Sequence, residues 1–173
     1  MKTKLLYLLL IICFSANAQS FEWGKAFIGT GDNVIRGMAT DKDGNSYIAG
    51  FFWYTLELGS ESNDPVITSN NFQDIFVAKV NSQGKVLWAK NYGARTFHKT
   101  SEKESDGYNL DNDDPLPLSY ANSIALGPDN SLYITGAFQS TVDFNPEGES
   151  QTVTSKGFQD IFVLKLSTGG DFK

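Results

Sequence analysis

Cysteine, histidine and arginine are almost absent from this 173-residue chain. Cys13 is its one cysteine, His98 its one histidine, and Arg36 and Arg95 its only arginines. One cysteine cannot form an internal disulfide framework. One histidine with no cysteine beside it offers little to a zinc centre or a Ser-His-Asp catalyst. Helical periodicity is also missing from every stretch of useful length, so the chain is not built on amphipathic helices. The longest apolar run, Leu5 to Phe14, is ten residues. A membrane-spanning helix needs about 20. Positive charge is scarce too, with 14 Lys+Arg against 20 acids and a formal net charge of -6. Such a surface repels phosphate backbones, so nucleic acid is not an expected partner.

The short apolar run has another meaning. Lys2 and Lys4 precede it and Ala16-Asn17-Ala18 follows it. Residues 1–18 therefore read as a secretory signal peptide cleaved before Gln19. Ile12 stands before Cys13 where a lipoprotein signal needs a small residue, which argues against lipid attachment. The mature chain is expected to be exported and free of cysteine. It must hold together by its core, which a chain of this size can build. Losing Lys2 and Lys4 takes its net charge to about -8.

What the chain does have is aromatic residues, 13 Phe and 7 Tyr, and 16 Gly. This composition favours an all-β fold. It also has a repeat. Displaced by 86 residues, Met38–Leu87 falls on Ile124–Lys173 without a gap, with 18 of 50 positions identical. The clearest block is Phe72-Gln73-Asp74-Ile75-Phe76-Val77 against Phe158-Gln159-Asp160-Ile161-Phe162-Val163. A further match, Trp23–Phe27 with Trp88–Tyr92, has an offset of 65. The unit is thus about 65 residues, and one copy carries an insertion across 94–118.

Each unit offers four strand signals. Val34–Thr40 and Ala121–Leu126 come first, and Ser46–Phe52 and Leu132–Phe138 second. Asp74–Val80 and Asp160–Leu166 come third, and Val86–Tyr92 fourth. Asp, Gly, Asn and Pro in the intervening segments are hairpin chemistry. The third strand is nearly continuous in apolar residues and is expected to be buried on both faces. Such units describe propeller blades, each sandwiched between neighbours. Gly50 and Gly136 end the second strand, where a side chain is expected to clash as blades crowd together. The expected architecture is an incomplete propeller. A strand at 21–28 precedes blade one at about 34–92, and blade two runs from about 119 to 173.

The order of motifs resembles the bacterial β-propeller repeats abbreviated SBBP. The carriers are Asp74–Lys79 with Gly84, Trp88-Ala89-Lys90, Tyr133–Phe138 and Thr141–Pro146. The resemblance covers most of residues 21–173. It implies a secreted or surface-exposed protein of a Gram-negative bacterium. The motif is structural, and it brings no catalytic residues with it. Two blades do not close a ring. The chain is expected to be the N-terminal part of a longer propeller, with assembly of several short chains as the rival.

Several constellations bear on chemistry. Asp41-x-Asp43-Gly44-Asn45 has part of a calcium-loop pattern, but strand follows at once and the second copy lacks the acids, so it reads as a plain turn. The insertion is rich in acids and reads as a solvated loop, with Asp111, Asp113 and Asp114 as its calcium candidates. Asp74 and Asp160 recur once per unit and are expected to accept bonds from backbone N–H groups. Trp23 and Trp88 hold equivalent positions and are expected to pack in the core. Trp53 and Tyr54, beside Phe51 and Phe52, have little aromatic counterpart in the second copy and are the ligand-binding candidates. The expected function is a secreted or cell-surface binding and scaffold module. Its partners are a protein or a glycan, further blades, or a second copy. The alternative is part of an extracellular hydrolase or lyase. No cofactor beyond calcium is indicated, and no membrane span is expected after leader removal.

Overall fold

The structure, a computed structural model, describes residues 22–94 and 118–173. The leader, Cys13, His98 and the calcium candidates Asp111, Asp113 and Asp114 lie outside the described residues. Among the described residues the chain is all-β. Its strands are β1 (Ile28–Gly29), β2 (Asn33–Thr40), β3 (Ser46–Glu57), β4 (Val66–Val80) and β5 (Val86–Tyr92). They continue with β6 (Tyr120–Leu126), β7 (Ser131–Phe138), β8 (Thr141–Asp143), β9 (Thr152–Thr154) and β10 (Asp160–Ser167). Strands β2 to β5 form an antiparallel meander, the first blade, and β6, β7 and β10 repeat its first three strands.

Turn chemistry sets these registers. The residue closing each hairpin is left-handed: Gly44 (φ 79), Gly84 (φ 81), Asn130 (φ 54) and Gly170 (φ 91). Each follows a tight turn and lets the chain rejoin the ladder as a three-residue loop with a bulge. In three turns the first residue's side chain fastens the loop. Asp41, Asn81 and Ser167 each accept N–H bonds from the residues two and four places on.

The blades also share their irregularities. A bulge interrupts β2 between Ile35 and Gly37, and β6 between Ala121 and Ser123. It drives the first strand's carbonyls onto the second strand. A Cβ on Gly50 would lie 1.9 Å from the Val34 carbonyl oxygen, and one on Gly136 would lie 2.0 Å from that of Tyr120. The crowding that requires glycine thus arises within a blade, not between blades as the sequence suggests. Beyond Tyr54 (φ 60) in blade one and Ser140 (φ 63) in blade two, the second strand bends into an outer ribbon. The ribbon is 55–57 with 66–68 in the first blade and β8 with β9 in the second. Strands β3 and β4 are therefore longer than the apolar pattern indicates.

The joint between blades repeats as well. One core joins Tyr47, Ile75 and Val77 of the first blade to Ile124, Ile134 and Phe162 of the second. Another packs Phe52, Phe76 and Val80 on the first blade's other side, under Phe27. The Trp88 indole donates to the Thr168 carbonyl at 3.2 Å, and the Trp23 indole to the Ser82 carbonyl at 3.0 Å. Both rings lie on the left-handed glycine of the turn they clasp, Gly170 and Gly84. Two residues on, Lys90 pairs with Glu147 and Lys25 with Asp64. The Trp-x-Lys pattern therefore ties a strand to the blade that follows it.

Three expectations need correction. Trp23 is 43% exposed, so it is a clasp over a turn and not a core residue. The strand expected at 21–28 is strand only at Ile28–Gly29 among the described residues. The third strand is closed on both faces in blade one, where Ile75, Phe76 and Val77 are buried. In blade two, Ile161 and Val163 face outward.

Candidate functional site

Acids that recur in each blade have structural work. Asp74 is fully buried at the start of the third strand's inner segment. Its Oδ2 accepts from the Asn70 N–H at 3.0 Å, the Asn70 amide at 3.0 Å and the Asn91 amide at 2.8 Å. Asp160 Oδ2 accepts from the Lys156 N–H at 2.9 Å, the same bond one repeat later. Both are turn ligands to backbone N–H groups. Burial raises the Asp74 pKa, against the three donors that favour its charge.

The acids of the hairpin turns each meet a tyrosine, and Asp129 meets a lysine as well. Asp41 Oδ2 accepts from the Tyr47 hydroxyl at 3.0 Å, and Asp129 Oδ2 accepts from the Tyr133 hydroxyl and from Lys165 at 2.8 Å. Lys79 and Lys165 each stand 5.1 Å from the centre of the neighbouring tyrosine ring. Asp41 and Asp129 occupy different positions in the repeat yet reach equivalent tyrosines, Tyr47 and Tyr133. Sequence alignment alone therefore misses the equivalence. Partial burial of Asp41 is outweighed by bonds from the Asn45 amide and N–H, the Tyr47 hydroxyl and the Asp43 N–H, which hold its carboxyl at about 2. A carboxylate so occupied fastens its turn. No group of three or more His, Cys, Asp or Glu is placed to hold a metal ion among the described residues.

Two aromatic residues, Trp53 and Tyr54, do not recur. The Trp53 and Tyr54 rings lie 6.1 Å apart, and Phe72 completes a triangle at 6.3 Å from Trp53 and 6.1 Å from Tyr54. All three pairs meet near edge-to-face, an arrangement that favours aromatic contact. Tyr54 is 45% exposed. Arg36 stands 5.5 Å from the centre of the Phe51 ring, two residues before Trp53.

The sequence identified Trp53 and Tyr54 but not Phe72, which arrives across the strand pair beside Gln73, the partner of Trp53. Phe52, grouped with them by adjacency, turns instead into the core. In the second blade Gln139 and Ser140 hold the places of Trp53 and Tyr54. Ser140 takes the same left-handed backbone without an aromatic ring. The fold therefore requires the bend at this point and does not require the rings.

No family model matches the chain. It is similar to a WD repeat-containing protein of Acanthamoeba polyphaga mimivirus, with 25% identity over 123 residues, 69% of this chain. The chain spans 8% of that protein's length.

Proposed function

We propose that this protein is an exported propeller-repeat module of the SBBP type. In this reading it acts at or beyond the cell surface as a binding and scaffold element. It engages a glycan or protein through the Trp53, Tyr54 and Phe72 rings. The observation that carries the reading is the ring triangle of Trp53, Tyr54 and Phe72, two of whose rings stand where the companion blade has Gln139 and Ser140. Rigid aromatic faces beside polar backbone suit the apolar faces of sugar rings and the anchor residues of protein partners. The likeness to a WD repeat-containing protein agrees with a repeat architecture. The acidic charge and the leader pattern support export to a setting without nucleic acid.

The test exchanges the rings for the second blade's own residues, Trp53→Gln with Tyr54→Ser. The exchanged chain is compared with the native one on arrays of immobilised glycans and surface proteins. Loss of hot-spot aromatics costs about 2 kcal/mol or more, roughly 30-fold in affinity. Binding unchanged by the exchange would overturn the reading. Export is checked separately, by recovering from outside the cell a chain that begins at Gln19.

A further inference from the structure

The shape of the ring triangle restricts what it can hold. Its ring centres are 6.1, 6.3 and 6.1 Å apart, and its planes are inclined to one another by 65°, 67° and 65°. A sugar ring presents a flat face, so it can lie against only one of three planes so inclined. A small tetrahedral group presents itself equally to all three. Resting over the middle of the triangle, it lies within about 6 Å of every ring centre, the reach of a cation on an electron-rich ring face. The group that suits this shape and this electrostatics is a quaternary ammonium.

The fold holds the rings ready. Tyr54 is set by its left-handed backbone, and the Trp53 N–H donates to the Asp32 carbonyl at 3.1 Å. The chain at Gly31 closes on both side chains, since a Cβ there would lie 2.6 Å from the Trp53 Cβ and 3.2 Å from the Tyr54 Cδ2. Tyr54 is exposed and Trp53 and Phe72 are half-buried, so the rings are at once fixed and accessible. Rings placed beforehand spare a ligand the entropy of ordering them.

The surrounding charge narrows the choice. Arg36, Lys79 and Lys165 settle over the rings of Phe51, Tyr47 and Tyr133. Among the described residues no lysine or arginine stands over Trp53 or Tyr54. The net charge of -6 draws cations to the surface. Arg36 opposes a ligand that is only a cation. Phe51 and Trp53 pair with Ile75 and Gln73 on β4, which places both on one face of β3, about 7 Å apart. The guanidinium over Phe51 therefore stands beside the triangle. A ligand that carries an anion on that side turns the repulsion into a charge-assisted bond, and guanidinium matches phosphate well.

We propose that the triangle and Arg36 together bind phosphocholine. The trimethylammonium rests over Trp53, Tyr54 and Phe72, and the phosphate meets the Arg36 guanidinium. This rests on the binding role proposed for the same rings and names its ligand. Phosphocholine on a surface glycan and phosphocholine as a lipid head group offer the site the same chemistry.

The test is calorimetric titration of the purified chain with phosphocholine, choline and 3,3-dimethylbutyl phosphate, which has the shape of phosphocholine without the ammonium charge. Phosphocholine is expected to bind at millimolar concentration or below, about tenfold or more tighter than the uncharged analogue. Arg36→Gln is expected to lower phosphocholine affinity to that of choline and to leave choline no weaker. Trp53→Gln with Tyr54→Ser abolishes both. No binding of phosphocholine by the native chain overturns the proposal. So does equal binding of the uncharged analogue, or phosphocholine binding that survives the ring exchange. Beads bearing a phosphocholine-substituted carbohydrate and vesicles of phosphatidylcholine separate the two sources. Retention by either supports the proposal and names the source, and retention by neither overturns it. If phosphocholine fails while ring-dependent binding persists on the glycan and protein arrays, the ligand is wrong and the binding role stands. If array binding also ignores the ring exchange, both are wrong.

Discussion

Gly136 gives the sharpest test of how the blades are packed. A Cβ there would lie 2.0 Å from the Tyr120 carbonyl oxygen, 2.9 Å from the Ala121 Cα and 2.8 Å from Cε1 of Phe162. The first two are backbone atoms of the adjacent strand, held by the β6–β7 ladder, so relief requires β6 to move as a whole. Phe162 is itself packed against Phe144, with ring centres 5.0 Å apart. Overpacking a well-fitted site costs about 1–3 kcal/mol, and a backbone neighbour places Gly136→Ala at about 3 kcal/mol. Gly157→Ala is the control. A Cβ there meets nothing within 4 Å, and the backbone is not left-handed. Removing a glycine at such a site stabilises by about 0.4–1 kcal/mol through the unfolded chain. The two substitutions add the same methyl group and are expected to shift stability in opposite directions. Urea unfolding followed by tryptophan fluorescence reads both, with the slope unchanged and the midpoint moved. A Gly136→Ala midpoint equal to the native one would refute the reasoning.

Two further predictions concern single bonds. Trp88→Phe keeps an aromatic ring over Gly170 but removes the indole donor to Thr168, so it is expected to lower stability by about 1 kcal/mol. Trp23→Phe at the equivalent clasp should lose a similar amount, and an unchanged urea midpoint in both would count against the clasp. Asp41 is expected to make stability depend on pH in the acid range. Its folded pKa of about 2 lies below the ordinary 3.8, so its contribution is present above about pH 4 and fades as pH falls through 2. The stability difference between native chain and Asp41→Asn should shrink over that window. A constant difference across it would show that the carboxylate's charge is not what fastens the turn.

Turns, strand periods and the repeat are local or nearly local properties, and they were legible in the linear chain. The strand Val86–Tyr92 has the bounds its sequence pattern gives, and the hairpins fall where Gly, Asp and Asn stand. The equivalence of Trp23 and Trp88 was visible as a spacing. Their role was not, because the carbonyls they bond belong to Ser82 and Thr168, 59 and 80 residues away. The same holds for the candidate site. Trp53 and Tyr54 stood out because the second copy lacks them. Phe72 could be added only when strand pairing laid β4 beside β3.

Adjacency misled where a strand alternates its faces. Phe52 neighbours Trp53 in the chain and points away from it in space. The sequence marks the glycine requirement at 50 and 136 but not its cause, since the crowding carbonyls belong to Val34 and Tyr120 on another strand. Asp41 and Asp129 converge on one role from different repeat positions, which no alignment of the two copies displays. Amino-acid order thus settled which segments become strands and where they turn, because backbone preference and turn chemistry act within a few residues. Folding settled which faces are covered, which carbonyls are clasped and which rings meet, because those contacts form between segments far apart in the chain.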